Sequence, residues 1–227
     1  MASRRDAAID LALVLAAIAC AWIATRWLIY PALSIPDYAP MILRPILGFL
    51  AAWAVLRWRG ESLASVGLTQ PASWPRAIAV GVALYAADWL LANYAIPVLA
   101  QWVHPVRRPS FLAYIRGNEV GLITWVAIGW LVGGLCEETL FRGFLLRRVA
   151  TLVGAGAAGL ACGVIAQAVL FATLHLYAGT FAFLYAVVFG LTHGVFYVVA
   201  GRNLVALIIV HGVWDMVAIY GVYNSAG

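Results

Sequence analysis

One feature constrains this chain before any other. Apolar runs long enough to cross a lipid bilayer recur along nearly its whole length. A spanning helix needs about 20 consecutive, mostly apolar residues. Runs of that kind occupy roughly 9–30, 38–56, 77–100, 120–146, 158–177, 181–200 and 203–223. The chain is 65% hydrophobic and 10% charged over 227 residues. Its mean hydropathy is +0.97. A soluble domain of this length has too little interior to hide so much apolar surface. The expected fold class is therefore all-α, a polytopic integral membrane bundle of about seven (six to eight) transmembrane helices.

The few charges are placed with a pattern. All 14 basic residues are arginine, against 9 acidic ones. In a soluble protein a basic balance would raise nucleic-acid binding. Here the arginines sit mainly between apolar runs, which reads as membrane topology, with no nucleic acid as partner. Arg4 and Arg5, then Arg57, Arg59 and Arg76, then Arg147 and Arg148, then Arg202 all fall on one side of a seven-span chain. That side is expected to be cytoplasmic, with the N-terminus on it. Residues 101–118 break the rule, because Arg107, Arg108 and Arg116 fall opposite. The segment is amphipathic, with Trp102, Phe111, Leu112 and Ile115 among the arginines, and is expected to lie in the membrane interface. The first apolar run is too long for a signal-peptide core and reads as a retained span. Cys20, Cys136 and Cys162 lie within apolar runs, have no metal-type spacing and act as small packing residues. Gly159 and Gly163 form a small-xxx-small pair, which predicts a close helix crossing.

Against this background the ionisable residues within apolar runs stand out. Each costs about 2.5–3.5 kcal/mol at the centre of a membrane helix on insertion scales, so each needs partners or a water-filled cavity. They are Asp88, Glu137, Glu138, Arg142, His175, His193, His211 and Asp215, most of them in the second half of the chain. In "LCEETLFRGF" (135–144) Glu138 precedes Arg142 by four residues, the spacing of a helical ion pair. Glu137 is rotated ~100° from that face, as 3.6 residues per turn require. It is the carboxylate left free for chemistry. "FATLH" places Phe171 and His175 on one helix face, and "HGVWD" does the same for His211 and Asp215. Depth is consistent for two of the motifs. Glu137 lies ~15 Å before Arg147 and His211 ~13 Å after Arg202, at 1.5 Å per residue. By the same counting His175 falls nearer the opposite face.

One spare carboxylate and two histidines on three apolar helices suit amide hydrolysis without a covalent intermediate. The carboxylate takes a proton from water, a histidine orients that water, and a second histidine with a polar neighbour donates to the oxyanion. A zinc site with Glu137, His175 and His211 as ligands is the rival reading. No H-E-x-x-H occurs on one helix to support it. A serine hydrolase is disfavoured, because Ser62, Ser65, Ser73 and Ser110 sit in loops and no G-x-S-x-G appears.

The motifs "EETLFR" (137–142), "FATLH" (171–175) and "HGVWD" (211–215) resemble E-E-x-x-x-R, F-x-x-x-H and H-x-x-x-N/D. These patterns mark the CAAX prenyl protease and bacteriocin-processing (Abi) family of intramembrane endopeptidases. The resemblance covers about residues 120–220. It implies an all-helical protease in which Glu137 and His175 activate the water and His211 and Asp215 form the oxyanion side. Glu138, Arg142 and Phe171 are then structural support. Asp215 departs from the more usual Asn, and an ionised Asp cannot donate. It would either orient His211 or be protonated by burial. The implied organisation is N-terminal transmembrane helices with the amphipathic segment over 1–118 and a catalytic core over 119–227. The implied partner is a lipidated or transmembrane peptide or protein reaching the site from the bilayer. No cofactor is required, with zinc as the alternative. The expected location is a bacterial or archaeal inner membrane. A transporter would call for internal symmetry, and no inverted repeat is visible. A non-catalytic scaffold or immunity protein would be expected to have lost some of these motif residues.

Overall fold

The structure is a computed structural model and describes residues 3–29, 39–103, 111–154 and 156–225. Among them are eight helices and no strand. Helix α1 (Arg4–Ile23) opens on a capping box between Ser3 and Asp6 and runs on into a wider-turned stretch, Ala24–Ile29. Helix α2 spans Ala39–Trp58. Helix α3 (Trp74–Trp102) starts at a Ser73 cap and is interrupted by wide turns at Leu91–Ala95. Helix α4 is the short Phe111–Ile115. Helix α5 (Glu119–Val153) starts at an Asn118 cap. Helices α6 (Ala157–Thr173), α7 (Thr180–Val199) and α8 (Val205–Tyr223) complete the bundle.

Six of these helices are long and apolar enough to cross a membrane: α1, α2, α3, α5, α7 and α8. The seventh expected span, 158–177, is shorter than the sequence suggested. Helix α6 stops after 17 residues at Thr173, and a short 3-10 turn, Leu176–Ala178, follows before Gly179 at φ +92°. The early stop turns His175 back toward the bundle interior. A second difference lies in α5. Its central stretch, Gly129–Leu145, is π-helical, where sequence spacing had implied ordinary α-helical turns. Wide turns of this kind favour functional sites, and this one carries both glutamates.

The arginine-bearing helix ends do gather on one face. Arg59 bridges Asp6 at 2.8 Å and Asp10 at 2.9 Å, and Arg148 lies 3.0 Å from Asp10 and 2.6 Å from Glu61. Arg4, Arg59, Arg147, Arg148 and Arg202 line one polar hollow there. The loop after α2 is sewn to the α7–α8 turn at the same end, by Leu204 N–H to Gly67 O (3.0 Å) and Tyr197 OH to Val66 O (2.9 Å).

Within the bilayer no hydrophobic effect separates helix from lipid, so close backbone approach matters more. The predicted crossing at Gly159 and Gly163 is present. A Cβ on Gly163 would lie 2.5 Å from the Leu146 carbonyl oxygen. The apolar core joins Leu11, Val14, Leu56, Leu140, Phe144 and Phe171 across α1, α2, α5 and α6. In the amphipathic segment Ile115 is buried and Trp102 is 82% exposed. Gly117 N–H bonds Tyr223 O at 3.1 Å, tying the segment to the end of α8. Arg107 and Arg108 lie outside the described residues, as does most of the loop predicted over 30–40.

Candidate active site

Four helices bring ionisable side chains to one buried layer. Asp88 comes from α3, Glu137, Glu138 and Arg142 from the wide-turned part of α5, His193 from α7, and His211 with Asp215 from α8. Glu138, Arg142 and His193 have no exposed surface at all. Burying so many polar groups is tolerable only where they satisfy one another.

The centre of the layer is Glu138. Its Oε1 lies 2.8 Å from His211 Nδ1 and 3.0 Å from His193 Nδ1. Arg142 Nη1 is 3.2 Å from the same oxygen. That last contact is an ion pair by distance but not a hydrogen bond by angle: no guanidinium nitrogen of Arg142 has a hydrogen-bond partner among the described residues. Arg142 instead lies over the Phe171 ring, 4.6 Å from its centroid, and 5.8 Å from that of Phe189. A desolvated cation–π contact contributes about 2 kcal/mol. The i,i+4 pair expected from sequence is therefore present, but Glu138 does more than support a helix. An ionised carboxylate only accepts, so both ring nitrogens facing it carry hydrogen. Glu138 thereby fixes the orientation and tautomer of His211.

With Nδ1 engaged, the Nε2 atom of His211 is left for the site. It lies 3.9 Å from Glu137 Oε2 and 3.9 Å from Asp215 Oδ2. Both distances are longer than a hydrogen bond and fit a bridging water or a substrate oxygen. The Glu137 side chain is 12% exposed and that of Asp215 33%, so the gap opens on the Asp215 side. Helix α8 reaches this position because α5 presents glycine to it. A Cβ on Gly133 would stand 2.5 Å from Asp215 Oδ2 and 3.1 Å from His211 Nε2.

His175 joins from the turn after α6. Its Nδ1 lies 3.2 Å from the Phe171 carbonyl oxygen. A carbonyl accepts, so that nitrogen carries the hydrogen and Nε2 is the proton-accepting side. The Phe171 ring sits 4.7 Å from the His175 ring, 5.3 Å from Phe141 and 6.5 Å from His211. Phe171 thus covers Arg142 with its face and holds His175 with its backbone, which gives the F-x-x-x-H spacing a physical meaning.

The structure thus gathers Glu137, Glu138, Arg142, His211 and Asp215, with His175 one aromatic ring away. It differs from the sequence reading in two respects. The His211 tautomer is held by Glu138, a helix away, rather than by Asp215 on its own helix. Asp88 and His193 were noted as costly residues but given no place in the site. His193 bonds Glu138 through Nδ1 and contacts Asp88 Oδ2 at 3.0 Å through Nε2. The depth argument applied to His211 would have found them, since His193 lies nine residues before Arg202 and Asp88 twelve after Arg76, ~13 Å and ~18 Å along their helices.

Among the described residues, the grouping tight enough by distance for a metal ion is Glu138, His193 and His211, with ligand atoms within 4.8 Å of one another. It is not Glu137, His175 and His211, the set of the rival zinc reading from sequence. The donor chemistry of this grouping does not suit a dication. Both imidazoles point N–H groups at one oxygen, and a guanidinium nitrogen already stands 3.2 Å from it. A second positive charge there would be repelled by the first.

Residues 119–217 match a family model described as Type II CAAX prenyl endopeptidase Rce1-like. No curated protein and no solved structure matches the chain.

Proposed function

With the match of residues 119–217 to a family model described as Type II CAAX prenyl endopeptidase Rce1-like as the premise, we propose that this chain is an intramembrane endopeptidase that cleaves a peptide bond near the end of a lipidated, membrane-anchored protein or peptide. Glu137 is the general base: it takes a proton from water, and the hydroxide attacks the scissile carbonyl. His175 Nε2 shares the attacking water from the Phe171 side. His211 and Asp215 face the developing oxyanion. Because His211 Nδ1–H is committed to Glu138, its Nε2 donates to the oxyanion only when the ring carries both protons. Collapse of the tetrahedral intermediate passes the proton from Glu137 to the leaving amine. Water and amide are consumed, and one amine and one carboxylate are formed.

The observation that carries this reading is the position of Glu137. It is a buried carboxylate beside the free nitrogen of a histidine whose other nitrogen is held. A substrate carrying its own lipid would bring the scissile bond to this depth without a soluble docking domain. The N-terminal half, 1–118, then serves as the framework around the catalytic core, with the arginine-bearing face cytoplasmic.

The test is a farnesylated peptide ending in a CAAX sequence, offered to the purified protein in liposomes. The released C-terminal tripeptide is detected by mass spectrometry. Product from the wild type and none from Glu137→Gln supports the reading, and equal product from both refutes it. A zinc-dependent variant of the reading has its own signature: one equivalent of zinc, lost with activity on chelation and restored with it.

A further inference from the structure

We propose that Asp88 and His193 are positioning residues of this site: through Glu138 they hold the His211 ring so that its Nε2 stays aimed at Glu137 and Asp215. The proposal rests on the peptidase reading for its kinetic arm but not for its spectroscopic one.

Four side chains on four helices form one unbroken series. Asp88 Oδ2 to His193 Nε2 is 3.0 Å, His193 Nδ1 to Glu138 Oε1 is 3.0 Å, and Glu138 Oε1 to His211 Nδ1 is 2.8 Å. The helices are α3, α7, α5 and α8 in that order. Every member is buried, at 2%, 0%, 0% and 4% exposure. The ring of His193 is further clamped by Phe189, stacked at 3.9 Å and 28°. Phe189 also meets the His211 ring edge-on at 4.9 Å. The two imidazoles therefore share a carboxylate oxygen and an aromatic neighbour.

The series has a direction. His211 needs Glu138 Oε1 to stay where it is, but Arg142 stands 3.2 Å from that oxygen and offers a guanidinium with no hydrogen-bond partner among the described residues. With only Arg142 and His211 as partners, the carboxylate is free to turn toward the arginine fork, the stronger bidentate partner. The hydrogen bond from His193 opposes that rotation. Asp88 in turn fixes His193, because its contact with Nε2 leaves both nitrogens of this fully buried ring engaged. Asp88 also lies outside the stretch 119–217 that matches the family. The N-terminal half of this chain thereby contributes a group to the layer that the catalytic core alone lacks.

A purely structural role for Asp88 and His193 would lower stability without altering the state of His211 or separating kcat from KM. The experiment uses the full chain in liposomes, the farnesylated CAAX peptide, and ¹⁵N-histidine spectra of the folded proteins. Asp88→Asn keeps the series, since its amide donates to Nε2 while Nδ1–H stays on Glu138. Its kcat is expected within about 3-fold of wild type. Asp88→Leu and His193→Phe break the series, and kcat is expected to fall about 10- to 100-fold with KM nearly unchanged, the size of effect that follows a small misplacement of a reacting group. The His211 Nδ1 resonance is expected to be that of a hydrogen-bonded N–H in the wild type and in Asp88→Asn, and that of a tautomer mixture in the other two. Equal kcat in Asp88→Leu and Asp88→Asn would overturn the proposal, and so would an unchanged His211 spectrum in folded Asp88→Leu. If His193→Phe does not fold, the Asp88 pair decides. A wild type inactive on the peptide would instead refute the peptidase reading, and the spectra would still test the positioning.

Discussion

Two polar clusters hold this bundle together, and they obey different rules. At the arginine-bearing end Asp6, Asp10, Glu61, Arg59 and Arg148 form four ion pairs of 2.6–3.0 Å. Several of those side chains keep contact with solvent, at 20% for Arg59, 35% for Asp6 and 26% for Glu61. In the middle of the bundle Asp88, Glu138, Arg142, His193 and His211 lie at similar spacing with almost no exposure. At the end, water can replace a lost partner. In the middle it cannot, so removing one member leaves another charge stranded in a medium that does not solvate it. The same geometry therefore has a small energetic weight in one place and a large one in the other. The proposed chemistry lies where the environment magnifies charge.

The largest test of that contrast concerns Glu137, a carboxylate of the layer that stands 3.9 Å from His211 Nε2. Glu137→Gln is expected to reduce cleavage by about 10²–10⁴-fold, the contribution of a general base. The thermal midpoint should move little, since among the described residues the ion-pair partner of Glu137 is His211 at 3.9 Å. A fully active Glu137→Gln protein would remove the functional half of the comparison. Glu138→Gln should behave differently and lose both properties. Its stability should fall by about 3–5 kcal/mol, as for breaking a buried pair, and kcat should fall with it because His211 loses its anchor. Unfolding curves measured beside turnover would show this, and normal stability would mean that the layer is not dry.

Gly133→Ala sharpens the point by geometry alone. Its Cβ would stand 2.5 Å from Asp215 Oδ2, so α8 must shift at a cost of about 1–3 kcal/mol. Activity should fall more than stability, because the shift acts on the gap between Glu137, His211 and Asp215. At the solvent-facing cluster Arg59→Gln should change stability by only about 1 kcal/mol, and less in high salt.

The smallest effect is a pH dependence at Glu61. Burial works to raise its pKa, but the bond and charge of Arg148, with the Ser65 hydroxyl and the Arg147 charge, together outweigh that and hold the carboxyl below its ordinary value. A depressed pKa in the folded state contributes stability that is present above the unfolded value of about 4.3 and is lost as pH falls through the folded one. Glu61→Gln should therefore be less stable than wild type at pH 7, with the difference closing below about pH 4. A gap that does not narrow as pH falls would show that the contact is not electrostatic.

Most of the bundle was legible without coordinates because membrane insertion is decided by composition over ~20-residue windows. Length and apolarity mark the spans, arginines mark one face, and the cost of an ionisable group in hydrocarbon singles out Glu137, Glu138, Arg142, His175, His193, His211 and Asp215. Spacing on one helix also paired Glu138 with Arg142 correctly, since such contacts are local. Tertiary structure alone decided which helices face one another. Whether His193 meets Glu138, and whether Asp88 meets His193, depends on rotations of α3, α5 and α7 about their axes. Small residues set those rotations through close backbone approach, and no periodicity in the sequence records them. The partner of His211 Nδ1 was beyond reach for the same reason. Asp215 is four residues away on the same helix, whereas Glu138 is 73 residues away and meets the ring at 2.8 Å. Sequence determined which groups needed satisfying, and packing decided which group satisfied which.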